Sequence, residues 1–78
     1  MEIKILGTGC PNCHKLEKET ENVVSELGLD ATVTKVEDIM KIMEYGILRT
    51  PGLVVDEKVV VSGRVPGREE LKKLIINC

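Results

Sequence analysis

The sequence carries Gly9-Cys10-Pro11-Asn12-Cys13, two cysteines three positions apart with proline directly after the first. Thiols so spaced can do two kinds of chemistry. They can exchange with a disulfide, one sulfur attacking and the other resolving, or they can hold a soft metal ion as a pair of thiolates. Both need a thiolate, and the flanking residues favour one. An apolar run over residues 3–6 precedes the pair and a helix-like run over 14–27 follows it. Cys10 therefore falls at or near a helix N-cap. Pro11 takes the first helical position, where its fixed φ is already helical and its missing N–H is not needed. Positions i and i+3 share a helix face, so both sulfurs can point the same way. Unpartnered N–H groups of the first turn and the positive dipole end stabilise an anion there. Cysteines in such Cys-x-x-Cys sites have pKa values lowered to about 3.5–7.5.

The elements that must position this pair are legible around it. Ile3 and Ile5 alternate with Glu2 and Lys4, so residues 2–6 read as a strand, and Gly7-Thr8-Gly9 is a flexible approach to the site. The small or apolar positions Cys13, Leu16, Thr20, Val23, Val24 and Leu27 recur at helical spacing, and Gly28 ends that helix. Residues 31–36 are β-branched and alternating, a second strand. Asp38 caps a short helix whose inner face should be Ile39, Ile42 and Met43, closed by Gly46. Residues 52–55 and 58–61 form a hairpin about Asp56-Glu57, a poorer turn pair than Asp-Gly. The last helix covers 68–77 with Leu71, Leu74 and Ile75 inward, and Glu70 stands where it can help cap it. The order is β-α-β-α-β-β-α, an α/β fold. The first two strands, joined by a helical crossover, should be parallel and right-handed.

Composition narrows the function. The 78 residues make one small domain, residues 1–78, which buries only roughly 60–65% of its unfolded surface. The chain has one tyrosine and no Phe or Trp, so its core is aliphatic. With 13 acidic against 11 basic residues it has no field to attract nucleic acid and no aromatic platform to stack bases. No apolar run reaches the length of a membrane span, and the N-terminus lacks the order of a signal peptide. The expected compartment is the reducing cytoplasm. Three cysteines are too few for a disulfide scaffold, and in that compartment the pair is redox-active or metal-binding. His14 reads as a surface helix residue, Cys78 as a loose terminal thiol, Tyr45 as a packing residue and Lys4 as a side chain snorkelling from the sheet.

With Cys-Pro-x-Cys after the first strand and Thr50-Pro51 before the third, the whole chain resembles the thioredoxin fold. It is most similar to the small glutaredoxin-sized redox-active disulfide proteins of archaea and bacteria. The resemblance implies a four-stranded mixed sheet flanked by three helices. It implies thiol–disulfide exchange on protein disulfides, with Cys10 as nucleophile and Cys13 as resolving thiol, and with no resident cofactor or metal. Pro51 matches the family's cis-proline, which faces the site, and Gly63 the glycine after the last strand. Gly9, Pro11, Asn12, Thr50, Pro51 and Gly63 would then line the substrate side. The implied partners are disulfide-containing target proteins and a reductase, and the chain is expected to be a monomer.

The departures from the family refine this. Thioredoxins have Trp where Gly9 stands, and a buried carboxylate where Lys4 stands. Glutaredoxins often hold glutathione with acidic residues after the last-strand glycine, where this chain has Arg64-Val65. A flavin-dependent thioredoxin reductase is therefore the expected donor. The rival reading is a Cu(I)- or Zn-binding domain or metallochaperone using the same two cysteines. Against it stand Pro11 inside the motif, Thr8 where those domains often carry methionine, and a helix then Thr50-Pro51 where they run directly into a hairpin.

Overall fold

The first strand lies in the middle of the fold because both of its neighbours in the sheet arrive later in the chain. In the computed structural model, which describes residues 1–47 and 49–77, β1 (Glu2–Leu6) is followed by α1 (Pro11–Leu27), β2 (Thr32–Val36) and α2 (Ile39–Glu44). Then come β3 (Gly52–Val55), β4 (Lys58–Ser62) and α3 (Arg68–Ile76). The sheet order is β2-β1-β3-β4. β1 runs parallel to β2, with Ile5 opposite Lys35, and antiparallel to β3, with Ile5 opposite Leu53. β3 and β4 form the antiparallel hairpin, with a register shift between Leu53 and Val54. This is the mixed four-stranded sheet with three helices that the β-α-β-α-β-β-α order implies. The expectation for Cys78 lies outside the described residues.

The two faces of the sheet are unequal. Ile3 and Ile5 of β1, Leu53 and Val55 of β3, and Val61 of β4 pack with Leu16, Val23, Leu71 and Ile75 of α1 and α3. Each such buried side chain contributes about 1.5–3 kcal/mol. Thr20 is fully buried among them, and its hydroxyl donates to the carbonyl of Leu16 at 2.7 Å. Among the described residues, the opposite face buries Leu6, Ile42, Ile47 and Val54, with Val36 and Tyr45 against them. Its helix α2 has six residues, too few to persist without tertiary support. Here the structure corrects the expected inner face. Ile42 is buried, but Ile39 and Met43 are 60% and 61% exposed, as is Met40 at 71%. One and a half turns of helix can bring only one side chain fully onto the sheet.

Caps and turns follow the sequence with one correction, at Glu70. Gly28 ends α1 at φ 64°, its N–H and that of Leu29 reaching back to Ser25 and Val24. Asp38 caps α2 by accepting the N–H of Met40 at 2.9 Å. Glu70 does not cap α3; its carboxylate pairs with Arg64 instead. The Asp56-Glu57 turn has positive φ at both residues, 48° and 69°, without a glycine. Tertiary ties hold it. Asp56 Oδ1 accepts the N–H of Glu2 at 2.8 Å, Asp56 N–H donates to Glu2 O at 2.8 Å, and Lys4 Nζ donates to Glu57 Oε1 at 2.7 Å. Tyr45, expected as packing alone, also accepts from Lys4 Nζ at 2.9 Å.

Lys4 is held above the usual lysine range, chiefly by Glu57, then by Tyr45 and Glu2. Glu57, Glu26 and Glu70 are held below the ordinary carboxylate range by Lys4, Lys72 and Arg64 respectively. A carboxylate with a depressed folded pKa contributes its stability in full above its unfolded value, and that contribution is lost as pH falls through the folded value. These pairs are exposed and screened by salt. Urea unfolding midpoints should therefore be level above about pH 5 and decline on acidification below the ordinary carboxylate value of 4.5. The decline should be shallower in high salt; a midpoint that rises on acidification would contradict these pairings.

Candidate active site

The first turn of α1 builds the site. Cys10 is the N-cap residue, with extended backbone at φ −68° and ψ 161°, and Pro11 opens the helix. The N–H of Cys13 donates to Cys10 Sγ at 3.1 Å, so the sulfur occupies the position that a capping oxygen would fill. Cys10 and Cys13 are joined as a disulfide across a Cα–Cα distance of 5.0 Å. Cys10 is half-buried, whereas Cys13 is 5% exposed beneath it. Pro11 and Asn12 are exposed on the same turn.

Gly7 sets how closely the strand and the helix approach. A Cβ there would stand 2.9 Å from Cys13 Cβ and closer still to its sulfur, with Thr50 Cβ on the other side at 3.9 Å. This brings Cys13 and Thr50 together although the chain between them is long. The Thr50-Pro51 bond is cis, as the resemblance implies, and Pro51 is buried. Gly63, at φ 80°, donates its N–H to Pro51 O at 2.8 Å, which ties the end of β4 to the proline. Gly9 adopts φ 87° between the strand and the cap. Of the residues expected at the site, Gly9, Pro11 and Asn12 thus surround the cysteines. Thr50 comes beside Gly7, which itself abuts Cys13, and Gly63 is hydrogen-bonded to Pro51, the residue after Thr50.

Three residues escaped the sequence reading. Gly7 was legible only as a flexible approach, because a close contact with a residue six positions on leaves no local mark. Arg49 and Met43 join Thr8, Ile39 and Thr50 around an open groove of about 340 Å³ beside the site. A larger cleft of about 440 Å³ lies away from the cysteines, between Lys4, Lys41, Glu44, Tyr45 and Glu57. Lys4, Tyr45 and Glu57 there are bonded to one another, so the size of that cleft does not make it the site of the chemistry.

A disulfide at the N-terminus of the first helix, on a β-α-β-α-β-β-α fold whose third strand follows a cis-proline, defines a thioredoxin-fold thiol–disulfide oxidoreductase. A family model described as a thioredoxin domain matches residues 1–76. The chain is 45% identical over 75 residues to a protein named thioredoxin from Methanothermobacter thermautotrophicus, covering 96% of this chain and 97% of that one. It is 41% identical over 71 residues to a thioredoxin from Methanocaldococcus jannaschii, covering 91% and 81%. Its backbone superposes on thioredoxin 1 from Thermosipho africanus with a TM-score of 0.67 at 16% identity, covering 99% and 92% of the two chains. The chain belongs to the thioredoxin-domain family. It is a protein-disulfide oxidoreductase that acts on disulfide-containing targets and is itself reduced by a reductase. The helix Ile39–Glu44 before the hairpin and the antiparallel pairing of β1 with β3 depart from the layout expected of the soft-metal alternative, and the relatives give that reading no support.

The depth difference between the sulfurs predicts unequal reactivity. Cys10 accepts an N–H bond and is half-buried, while Cys13 is buried against Gly7. Iodoacetamide at neutral pH should alkylate Cys10 several-fold faster than Cys13, read by peptide mass spectrometry. Equal labelling, or faster labelling of Cys13, would reverse the roles.

Proposed function

We propose that Cys10 is the attacking thiolate and Cys13 the resolving thiol in the reduction of protein disulfides, with residues 1–78 acting as one monomeric domain in the cytoplasm. The observation that carries this is the Cys13 N–H aimed at Cys10 Sγ at the open end of α1, with Cys13 buried below. Cys10 Sγ attacks one sulfur of the target disulfide, and the electron pair of the broken bond leaves on the other. Cys13 then attacks Cys10 Sγ, and the second target sulfur leaves. The target gains two electrons and the Cys10–Cys13 disulfide forms.

The substrate side is Gly9, Pro11 and Asn12 on one flank and Thr50, Pro51 and Gly63 on the other. The groove that begins at Thr8 and Thr50 and ends at the exposed Ile39 and Met43 is continuous with that side, which supports it as the path of the target chain. The donor is a flavin-dependent thioredoxin reductase. Arg64, which occupies a place where glutathione-using relatives carry acid, is engaged with Glu70.

With dithiothreitol, the native protein should reduce insulin disulfides, and Cys10→Ser should abolish the activity. Cys13→Ser should trap a mixed disulfide through Cys10; a trapped adduct on Cys13 in the Cys10→Ser protein instead would refute the assignment. A flavin-dependent reductase should sustain turnover, and efficient coupling to glutathione and glutathione reductase would overturn the choice of donor.

The groove generates a separate expectation. Met43→Lys places a charge on a surface side chain and should leave folding intact. It should raise KM for insulin several-fold while leaving the reduction of a small aromatic disulfide unchanged. An unchanged KM for insulin would remove the groove from the target path.

A further inference from the structure

Resolution requires Cys13 to lose its proton, and no group identified so far accepts it. Lys4 stands where thioredoxins carry a carboxylate, but it holds its proton firmly among Glu57, Tyr45 and Glu2. It also points to the wrong side. Side chains alternate along a strand, and Lys4 reaches Tyr45 on the α2 face while Ile5 and Gly7 face Cys13.

What faces Cys13 is a small cavity of about 10 Å³, the room of a single water, walled by Gly7, Gly9, Cys13, His14, Lys35 and Glu37 with Ile5 as its floor. Glu37 Oε2 and His14 Nε2 converge on it from different elements. They lie 3.9 and 4.0 Å from the point where a side chain on Gly9 would begin. Gly9 therefore keeps this space open as well as allowing its own positive φ. The remaining charged groups about the cavity are Lys35 on β2 and its partner Glu17 on α1, 3.6 Å apart. β1 and the residue after it contribute only Ile5 and Gly7 among the described residues.

We propose that His14 is the proton acceptor for Cys13, through one water in this cavity, and that Glu37, whose carboxylate faces the same space, is a positioning residue that stabilises the imidazolium electrostatically. An imidazole is the side chain whose ordinary titration falls near neutral pH, where a general base is most effective. In the resolving step the Cys13 S–H proton passes through the water to His14 Nε2. The sulfur electron pair forms the bond to Cys10 Sγ, and the Cys10–target bond breaks. Its pair leaves on the target sulfur, and the imidazolium returns the proton to that thiolate or to solvent. When the reductase reopens the disulfide, the His14 ring, reprotonated from solvent, returns a proton to the departing Cys13 thiolate.

The inference rests on the roles proposed for the two cysteines. The test is stopped-flow reduction of the aromatic disulfide DTNB by the reduced full chain, which releases one chromophore on attack by Cys10 and a second on resolution by Cys13. His14→Gln should slow the second release roughly tenfold or more near neutral pH, at the low end of general-base effects, and leave the first within about twofold. The deficit should shrink as pH rises and hydroxide removes the thiol proton without help from the ring. Glu37→Gln should shift the same pH profile in the same direction by a smaller factor, and Glu37→Asp should restore part of it. An unchanged second release in His14→Gln, or a loss equal in both phases at every pH, would overturn the relay. The cysteine roles fail separately, by a first release that survives in Cys10→Ser.

Discussion

A helix leaves the N–H groups of its first turn without carbonyl partners, and in this protein one of them meets a sulfur. The bond from Cys13 N–H to Cys10 Sγ caps α1 and also holds that sulfur at the positive end of the helix dipole. Cap and chemistry are one interaction. Pro11 supports it by setting the first helical φ and removing an N–H that would otherwise compete. The rest of the fold keeps this turn where a target can reach Cys10 and where Cys13 stays covered.

That placement depends on β1 being central. Its inner residues, Ile3 and Ile5, anchor α1 through Leu16 and Val23, and its end at Gly7 abuts Cys13. Gly7 N–H bonds Val36 O at 3.0 Å, so the end of β2 is fixed to the same point. This brings the loop after β2, with Glu37, beside the cysteines. The antiparallel partner β3, which begins after the cis Thr50-Pro51 bond, brings Thr50 beside Gly7. Three chain segments thus converge on one helix turn, and each is held by backbone pairing.

The α2 face shows the opposite economy. Few side chains are buried there, Lys4 is stabilised by its ring of Glu57, Tyr45 and Glu2, and the apolar Ile39 and Met43 face solvent beside the groove. A thickly packed face on α1 and α3 carries the stability. A thinly packed one leaves apolar surface free at the site.

By itself, the sequence determined the element order, the caps at Cys10, Asp38 and Gly28, the redox pair and its place at a helix start. All of these depend on residues a few positions apart. Local spacing also marked Pro51 as the opening of a strand, and family resemblance marked it as the cis-proline. Tertiary structure alone decided which apolar residues of α2 are buried, because a short helix meets the sheet along a line that its own periodicity does not specify. It alone recruited Glu70 to Arg64, made Asp56-Glu57 turn with both φ positive, and paired Lys4 with Tyr45 and Glu57. It alone set Gly7 against Cys13 and brought Glu37 and His14 to the same cavity beside Gly9. The physical reason is the same in each case. These contacts join residues distant in sequence, and their geometry exists only once the strands are in register.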